Sequence, residues 1–171
     1  LKGMPLCFKC TVTACLPPGT PFFPGAIAPS SRPDLAKSVP WRAPGFAIAT
    51  ENSDLVVKAF SQVPDGSSIG VAREELRKVL QASLKDLDAM GHSLEETHRE
   101  LGVTYVGIDP SIATAAAPED SVVNTWSDLL KRCANMPHGF GGAGTLTISA
   151  AVTSALKSLH SIKTCGYAGL M

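Results

Sequence analysis

The glycine-rich run HGFGGAGT, residues 138–145, stands directly before a predicted helix. Glycines let the backbone approach a ligand closely, and the free amides at a helix N-terminus attract anions. The spacing from Gly139 to Gly144 is that of a Walker A loop, but Thr145 stands in place of its lysine, which excludes a nucleoside triphosphatase. A plain connection into a tightly packed helix is the alternative. As a binding element, the loop would hold a carboxylate or small phosphate with Gly141, Gly142, Gly144 and Thr145.

Two acidic residues follow predicted strands. Asp109 ends the apolar run 102–109, and Glu51 comes directly after the run 45–50. In open α/β sheets, ligands collect beyond the carboxyl ends of the strands, so Asp109 is a candidate base or metal ligand. Glu51 reaches the same edge if the strands are parallel, and the two acids could then bind a cation. A capping or turn role is the alternative for Asp109, and no metal site is assigned.

His138 precedes the glycine loop and is a candidate acid or base beside it. A hydrogen-bonded surface histidine is the alternative reading of this residue. The three candidate catalytic residues are therefore Asp109, Glu51 and His138. Their residue types do not decide between an enzyme and a binding protein, and they imply no particular cofactor.

The cysteines favour packing over chemistry. There are five of them, and the alternating pattern of CFKCTVTAC is typical of a strand in which Cys7, Cys10 and Cys15 are small hydrophobic residues. A metal or redox role for this cluster is the alternative, although zinc would need a second pair of ligands nearby. An odd number of cysteines without a secretion signal favours free thiols in a reducing, cytoplasmic compartment.

Charge and hydropathy exclude two classes of partner. The 171 residues include 15 basic and 15 acidic ones, so the chain lacks the phosphate attraction on which nucleic-acid binding depends. No apolar stretch approaches the roughly 20 residues that cross a bilayer. With 44% hydrophobic and 18% charged residues, we expect a globular domain rather than a disordered tail.

The elements that must position these residues alternate between strands and helices. Strands are predicted at 6–15, 45–50, 102–109 and 161–171. Helices are predicted from about Asp54, from Val71 to about Leu101 with Gly91 as a candidate break, from Pro118 to Cys133, and over 146–159. This alternation predicts an α/β fold with a mainly parallel sheet and outer helices. We expect a single domain over residues 1–171, with an exposed insertion at 30–44 after a proline-rich loop.

Six motifs together resemble one known family. PFFPGAIA, GFAIATENSDLVVKAF, LGVTYVGIDPSIA, EDSV, GGAGTLTISAAVTSALKSL and KTCGYAGLM follow one another in this order. The sequence is similar to the uncharacterised "PFL family protein" group, domain of unknown function 711, over most of its length except residues 30–44 and the long helix. Members of that group are longer, so the resemblance implies that this chain is an internal or partial copy.

The resemblance implies a fold but no activity. The family is similar to the α/β barrel of pyruvate formate-lyase, so a partial barrel is expected here. The run Cys165-Gly166-Tyr167 also resembles the glycine loop of glycyl-radical enzymes, but Lys163 and Thr164 stand where that motif has other residues. We therefore interpret the run as a buried strand that ends in a glycine turn.

Two functions remain open at this point. The first is an enzyme or small-anion-binding protein that uses the glycine loop, with Asp109 and Glu51 at the strand ends. The second is a non-catalytic subunit that completes a barrel with a partner chain or as a homo-oligomer, and its sign would be exposed apolar edges.

Overall fold

A computed structural model describes residues 45–112, 121–134 and 139–166 of the chain. The predicted strand 6–15 with its three cysteines, the proline-rich loop, the insertion at 30–44, His138 and Tyr167 lie outside the described residues. These predictions are therefore untested.

The described residues form a mixed α/β arrangement of four α-helices and a two-stranded parallel sheet. The α/β class predicted from the sequence is confirmed. In chain order the elements are β1 (Gly45–Ala49), α1 (Ser53–Ser61), α2 (Ile69–Thr97), a 3-10 turn (Arg99–Leu101), β2 (Thr104–Asp109), α3 (Val122–Ala134) and α4 (Thr145–Lys157).

Strand β2 is central in the described part of the sheet. On one side it pairs in parallel with β1, in a register that joins Gly45 to Thr104 and Ala49 to Asp109. On its other side Ile108 forms a parallel bridge with Thr164, and the Ile108 carbonyl accepts a 2.8 Å hydrogen bond from the Cys165 amide. Because all three segments are parallel, their carboxyl ends meet at one edge.

Helix α2 is continuous through Gly91, so the predicted break is wrong. Gly91 is buried because the ring of Tyr105 lies flat against it: a Cβ built on Gly91 would lie 2.3 Å from Tyr105 Cζ. The glycine thus serves close packing of helix on strand rather than a change of direction.

The core lies between the helices and the central strand. Helix α2 buries Leu76, Leu80 and Leu84 against α4, α1 and β2. The other fully buried large side chains come mainly from the other three helices and from β2, and include Phe60, Tyr105, Ile108, Leu129, Ile148 and Leu156. This burial of apolar surface is the main stabilising contribution to the fold.

Candidate functional site

Asp109 lies at the carboxyl end of the central strand and is only 8% exposed. Its Oδ1 accepts two hydrogen bonds from Ser111, one from the amide at 3.0 Å and one from the hydroxyl at 2.5 Å. These bonds close a turn of the Asp-Pro-Ser type and fix the direction of the carboxyl group. The turn role weighed from the sequence is thus present, and it holds the carboxylate at the edge where α/β proteins bind ligands.

Asn52 joins the ends of β1 and β2. It is 1% exposed, and its Nδ2 donates a 2.9 Å hydrogen bond to the Pro110 carbonyl and a 3.3 Å bond to the Thr50 carbonyl. Asn52 occupies the N-cap position of α1, yet its side chain does not cap the helix. The side chain instead ties together the two loops that leave the sheet beside Asp109.

Gly166 closes the other side of Asp109. Its φ is +74°, and a Cβ at this position would lie 2.1 Å from Asp109 Oδ2, so only glycine leaves room for the carboxyl group. The neighbouring Cys165 is 4% exposed. Burial raises the pKa of the Cys165 thiol well above its usual range, and the negative charge of Asp109 raises it further. Cys165 is therefore a protonated thiol at neutral pH and a poor nucleophile.

Glu51 follows β1 at the same edge, and its side chain is exposed. The preceding residue, Thr50, donates its amide to the Asp109 carbonyl at 3.3 Å, so the two acidic residues belong to adjacent strand ends. In the described ranges the Glu51 carboxylate has no hydrogen bond or ion pair. The geometry gives the two acids a common edge but no direct contact.

The glycine loop is held together by its own hydrogen bonds. The Gly141 amide donates to Thr145 Oγ1 at 2.9 Å, and the amides of Gly142 and Thr145 donate to loop carbonyls at 3.3 Å. Gly141 and Gly144 both have positive φ, of 92° and 93°, which glycine adopts without strain. Three of the four loop residues predicted to bind an anion thus carry amides or a hydroxyl engaged within the loop.

The free amides lie one turn further on. Helix α4 begins at Thr145 with Gly144 as its N-cap, and Gly144 has no side chain to cap the helix. Within the described segments, no hydrogen bond takes the amides of Leu146 and Thr147, whereas the Ile148 amide already bonds the Gly144 carbonyl. Uncapped amides of this kind carry the positive end of the helix dipole.

The place of α4 in the chain indicates its direction relative to the sheet. Five residues separate its end from the segment 163–165, which runs parallel to β2. In α/β units, a helix that precedes a parallel strand runs back toward the amino edge of the sheet, with its N-terminus on the carboxyl side. Asp109 lies on that side. In the described part of the chain, no hydrogen bond joins the loop to Asp109.

A shallow groove of about 710 Å³ lies elsewhere, along the outer face of α4. Its lining includes Leu146, which is 84% exposed, and otherwise mostly small residues. The groove shares no residue with the edge around Asp109. The groove is open to solvent along one helix and encloses no ligand-sized space.

Sequence reasoning found Asp109 and the glycine loop but missed the residues that support them. Asn52 and Ser111 are not among the candidates from the sequence, and Gly166 is predicted there only as a turn. The signal that could have found Ser111 is the Asp-Pro-Ser order, which is typical of a side-chain-stabilised turn. His138 lies outside the described residues.

Two further structural findings concern partners. The helices within the described ranges include none that is both long enough and apolar enough to span a membrane. Among these same residues, no three His, Cys, Asp or Glu side chains come together in a group that could hold a metal ion.

Parallel strands with helices between them and polar groups at the carboxyl edge define a mixed α/β domain. Residues 3–171 match the model of the family described as Uncharacterised ACR (DUF711), and the chain belongs to this family. The family predicted from the six motifs is therefore confirmed. Comparisons with the curated proteins and with the solved structures found no match.

Proposed function

We propose that this domain binds a small ligand with a carboxylate or phosphate group at the carboxyl edge of its sheet, either as an enzyme or as a binding protein. The observation that carries the proposal is the buried Asp109 at the end of the central strand. It is supported by the uncapped N-terminus of α4, which a helix that precedes a parallel strand directs to the same edge. The two features provide one acidic and one anion-attracting group.

Asp109 supplies the acid–base group in this proposal. Its Oδ1 is occupied by Ser111, whereas no donor from the described residues bonds Oδ2. A carboxylate oxygen of this kind accepts a hydrogen bond from a ligand hydroxyl or amine, or accepts its proton. Glu51, exposed at the adjacent strand end, is the second acid available to the ligand, and His138 stays a candidate for the loop side.

The glycine loop supplies the anion-binding group. We place the anion at the amides of Leu146 and Thr147, with Gly144 leaving space beside them and the Thr145 hydroxyl as a further donor. This placement lies about one turn beyond the loop residues that the sequence predicts as anion ligands, since the amides of Gly141 and Gly142 are engaged within the loop.

We further propose that the sheet is an arc of a barrel of the pyruvate formate-lyase type, in a cytoplasmic protein. Support comes from the family membership and from three successive parallel segments, each preceded or followed by a helix. In such a barrel the carboxyl edge becomes the mouth, where ligands of α/β barrels bind.

Titration of the full chain with inorganic phosphate and with malonate, followed by amide NMR of the ¹⁵N-labelled protein, tests the anion site. We expect saturable shifts at the amides of Leu146 and Thr147. Thr147→Glu places a carboxylate at these amides and should abolish the shifts, whereas the matched Thr147→Gln should keep them. Shifts that are equal in both variants, or absent from the wild-type protein, would contradict the proposal.

Asp109→Asn tests whether the acid and the loop share one ligand site. Asparagine keeps an oxygen for the Ser111 hydrogen bonds but removes the negative charge, so phosphate should bind more tightly by about fivefold if a unit charge is within roughly 8 Å. An unchanged affinity would show two separate sites and would overturn the common site proposed here.

A second candidate function is a subunit that completes the barrel with another chain. The specific observation in its favour is the outer face of α4, where Leu146 is 84% exposed above a groove of small side chains. An exposed leucine beside an open groove offers another chain an apolar contact. Its test is association of the purified chain, described below.

A further inference from the structure

One flank of α2 stays exposed although it is apolar. Met90, Leu94 and Leu101 are 54%, 43% and 64% exposed, and we call these three residues the α2 flank. Met90 and Leu94 are one turn apart on the same side of α2, and Leu101 ends the 3-10 turn that follows the helix.

The α2 flank results from the drift of the buried stripe. The buried residues of α2 recur every four positions at Ala72, Leu76, Leu80 and Leu84. Four residues advance by about 400°, so the stripe turns by about 40° at each step around the helix. By the last turns the buried side is that of Gly91, and the α2 flank is left without a partner among the described elements.

The α2 flank lies at the amino edge of the sheet, where the chain enters β1. Helix α2 ends before β2 begins, and the ring of Tyr105 contacts both His92 of α2 and Phe46 of β1, at centroid distances of 5.0 and 5.3 Å. The first described residues of β1 therefore lie close to the last turns of α2. An extended chain spans about 3.3 Å per residue, so a few residues before Gly45 are long enough to reach the α2 flank.

The charges of the two parts are opposite. Residues 85–101 carry two basic residues, Lys85 and Arg99, and five acidic ones, namely Asp86, Asp88, Glu95, Glu96 and Glu100. Residues 1–44 carry one acidic residue, Asp34, and five basic ones, namely Lys2, Lys9, Arg32, Lys37 and Arg42. In the described ranges, Asp86 and Glu95 have no ion pair with which the basic residues would compete.

We propose that the α2 flank is the docking surface for residues 1–44 of the same chain. The apolar side chains Met90, Leu94 and Leu101 would contact apolar residues of that segment, and the surrounding carboxylates would attract its lysines and arginines. Complementary charge favours this partner over a second α2 flank, since two such flanks would bring acidic residues together.

Zero-length carbodiimide cross-linking of the full chain tests the proposal, because it joins only lysines and carboxylates in direct contact. Equal amounts of ¹⁴N and ¹⁵N protein are mixed, so that mass spectrometry separates links within a chain from links between chains. We expect intrachain links from Lys2, Lys9 or Lys37 to Asp86, Glu95, Glu96 or Glu100. At 1 M salt, where the Debye length is about 3 Å, their yield should fall about threefold or more.

Leu94→Ser and Val123→Ser form a matched pair of uncharged substitutions at exposed positions of two helices, 43% and 39% exposed. We expect the first to reduce the yield of these links several-fold and the second to leave it unchanged, with the same melting temperature for both proteins. Mixed-isotope links would identify a second copy as the partner and overturn the proposal. Links from these lysines only to other carboxylates, or no links, would overturn it as well.

Discussion

At the scale of single residues, the edge around Asp109 is defined by close contacts rather than by charge. The carboxyl group is held by Ser111 on one side and touches the backbone of Gly166 on the other. A side chain at residue 166 would overlap with the carboxyl group of Asp109 in its present position. The glycine near the end of the described chain thus has its explanation in packing, and a radical is not needed to account for it.

Gly166→Ala should destabilise the protein more than the same change at another glycine of similar backbone. Gly102 also has a positive φ, of 63°, but nothing lies within 4 Å of its added Cβ. We expect about 1–2 kcal/mol for Gly102→Ala from the left-handed backbone alone. Gly166→Ala should cost about 1–3 kcal/mol more, because its Cβ meets the Asp109 carboxyl group.

Urea denaturation of both variants measures this difference in the free energy of unfolding. Equal losses in the two variants would mean that Asp109 moves freely away from residue 166. That outcome would remove the argument that the carboxyl group is held in place.

Cys165 should make the stability of the protein fall at alkaline pH. Its pKa is raised in the folded state, so above about pH 9 the unfolded chain has lost this proton while the folded chain retains it. The free energy of unfolding then falls by about 1.4 kcal/mol per pH unit for this group. The contribution is complete below the unfolded pKa and is lost as pH rises above it.

Cys165→Ala tests this pH dependence through the slope of unfolding free energy between pH 9 and about 10, above which Tyr105, with its own raised pKa, adds a similar loss. We expect a flatter slope in the variant, even though the substitution also lowers stability at neutral pH. A slope identical to that of the wild-type protein would show that the thiol is not protected by burial.

At the scale of elements, α2 shows how packing overrides local preference. A glycine in a helix interior is unfavourable by about 1 kcal/mol relative to alanine, yet α2 keeps Gly91 and runs straight through it. The Tyr105 ring fills the space that a side chain would need. The hydroxyl of the same tyrosine donates a 3.0 Å hydrogen bond to Asp88, one turn earlier in α2. One strand residue thus fixes the position of the long helix.

Gly91→Ala should therefore destabilise the protein, although alanine has a higher helix propensity than glycine. Overpacking against Tyr105 costs about 1–3 kcal/mol, which exceeds the gain in helix propensity or cancels it. The matched control is Gly70→Ala, near the start of the same helix, where the nearest atom to the new Cβ is Ser68 Oγ at 3.5 Å.

Thermal unfolding followed by circular dichroism compares the two variants. Gly70→Ala should leave the melting temperature unchanged or raise it slightly. If Gly91→Ala raised the melting temperature as Gly70→Ala does, that result would contradict the close packing of Gly91 in α2 against Tyr105 in β2.

At the scale of the whole molecule, the described elements leave two apolar areas uncovered, the α2 flank and the outer face of α4. Both contain exposed leucines, whereas the inner faces of the same helices are fully buried. The two areas favour partners of different kinds. The acidic surroundings of the α2 flank favour the basic residues 1–44, and the shallow groove on α4 is the area available to another chain.

Leu146→Gln separates the two candidate functions, because it removes the exposed apolar side chain without adding a charge beside the anion-binding amides. The residue is 84% exposed, so the free energy of unfolding of an isolated chain should change by no more than about 0.5 kcal/mol. If α4 contacts another chain, the substitution should convert an oligomer into a monomer in light scattering after size-exclusion chromatography. A wild-type protein that is already a monomer at high concentration would contradict self-association through this face.

Much of the fold could be predicted because its signals are local. Residues 104–109 have the apolar character of a strand buried on both faces, residues 45–49 form a short apolar run, and α2 has an apolar stripe that defines a long helix. The last apolar residues of this stripe, Met90 and Leu94, are nevertheless exposed, as is Leu101 just after the helix. Periodicity defines which side of a helix is apolar, but it does not define how much of that side a neighbouring element covers.

The sequence by itself determined the α/β class, the family and the two segments that carry the proposed site, since each depends on residue type and spacing along the chain. Only the tertiary structure decided that Asn52 ties two loops together instead of capping α1, and that Gly166 lies against Asp109. The physical reason is distance along the chain. Asp109 and Gly166 are far apart in sequence, and only the parallel pairing of β2 with residues 163–165 brings the carboxyl group and the glycine into contact.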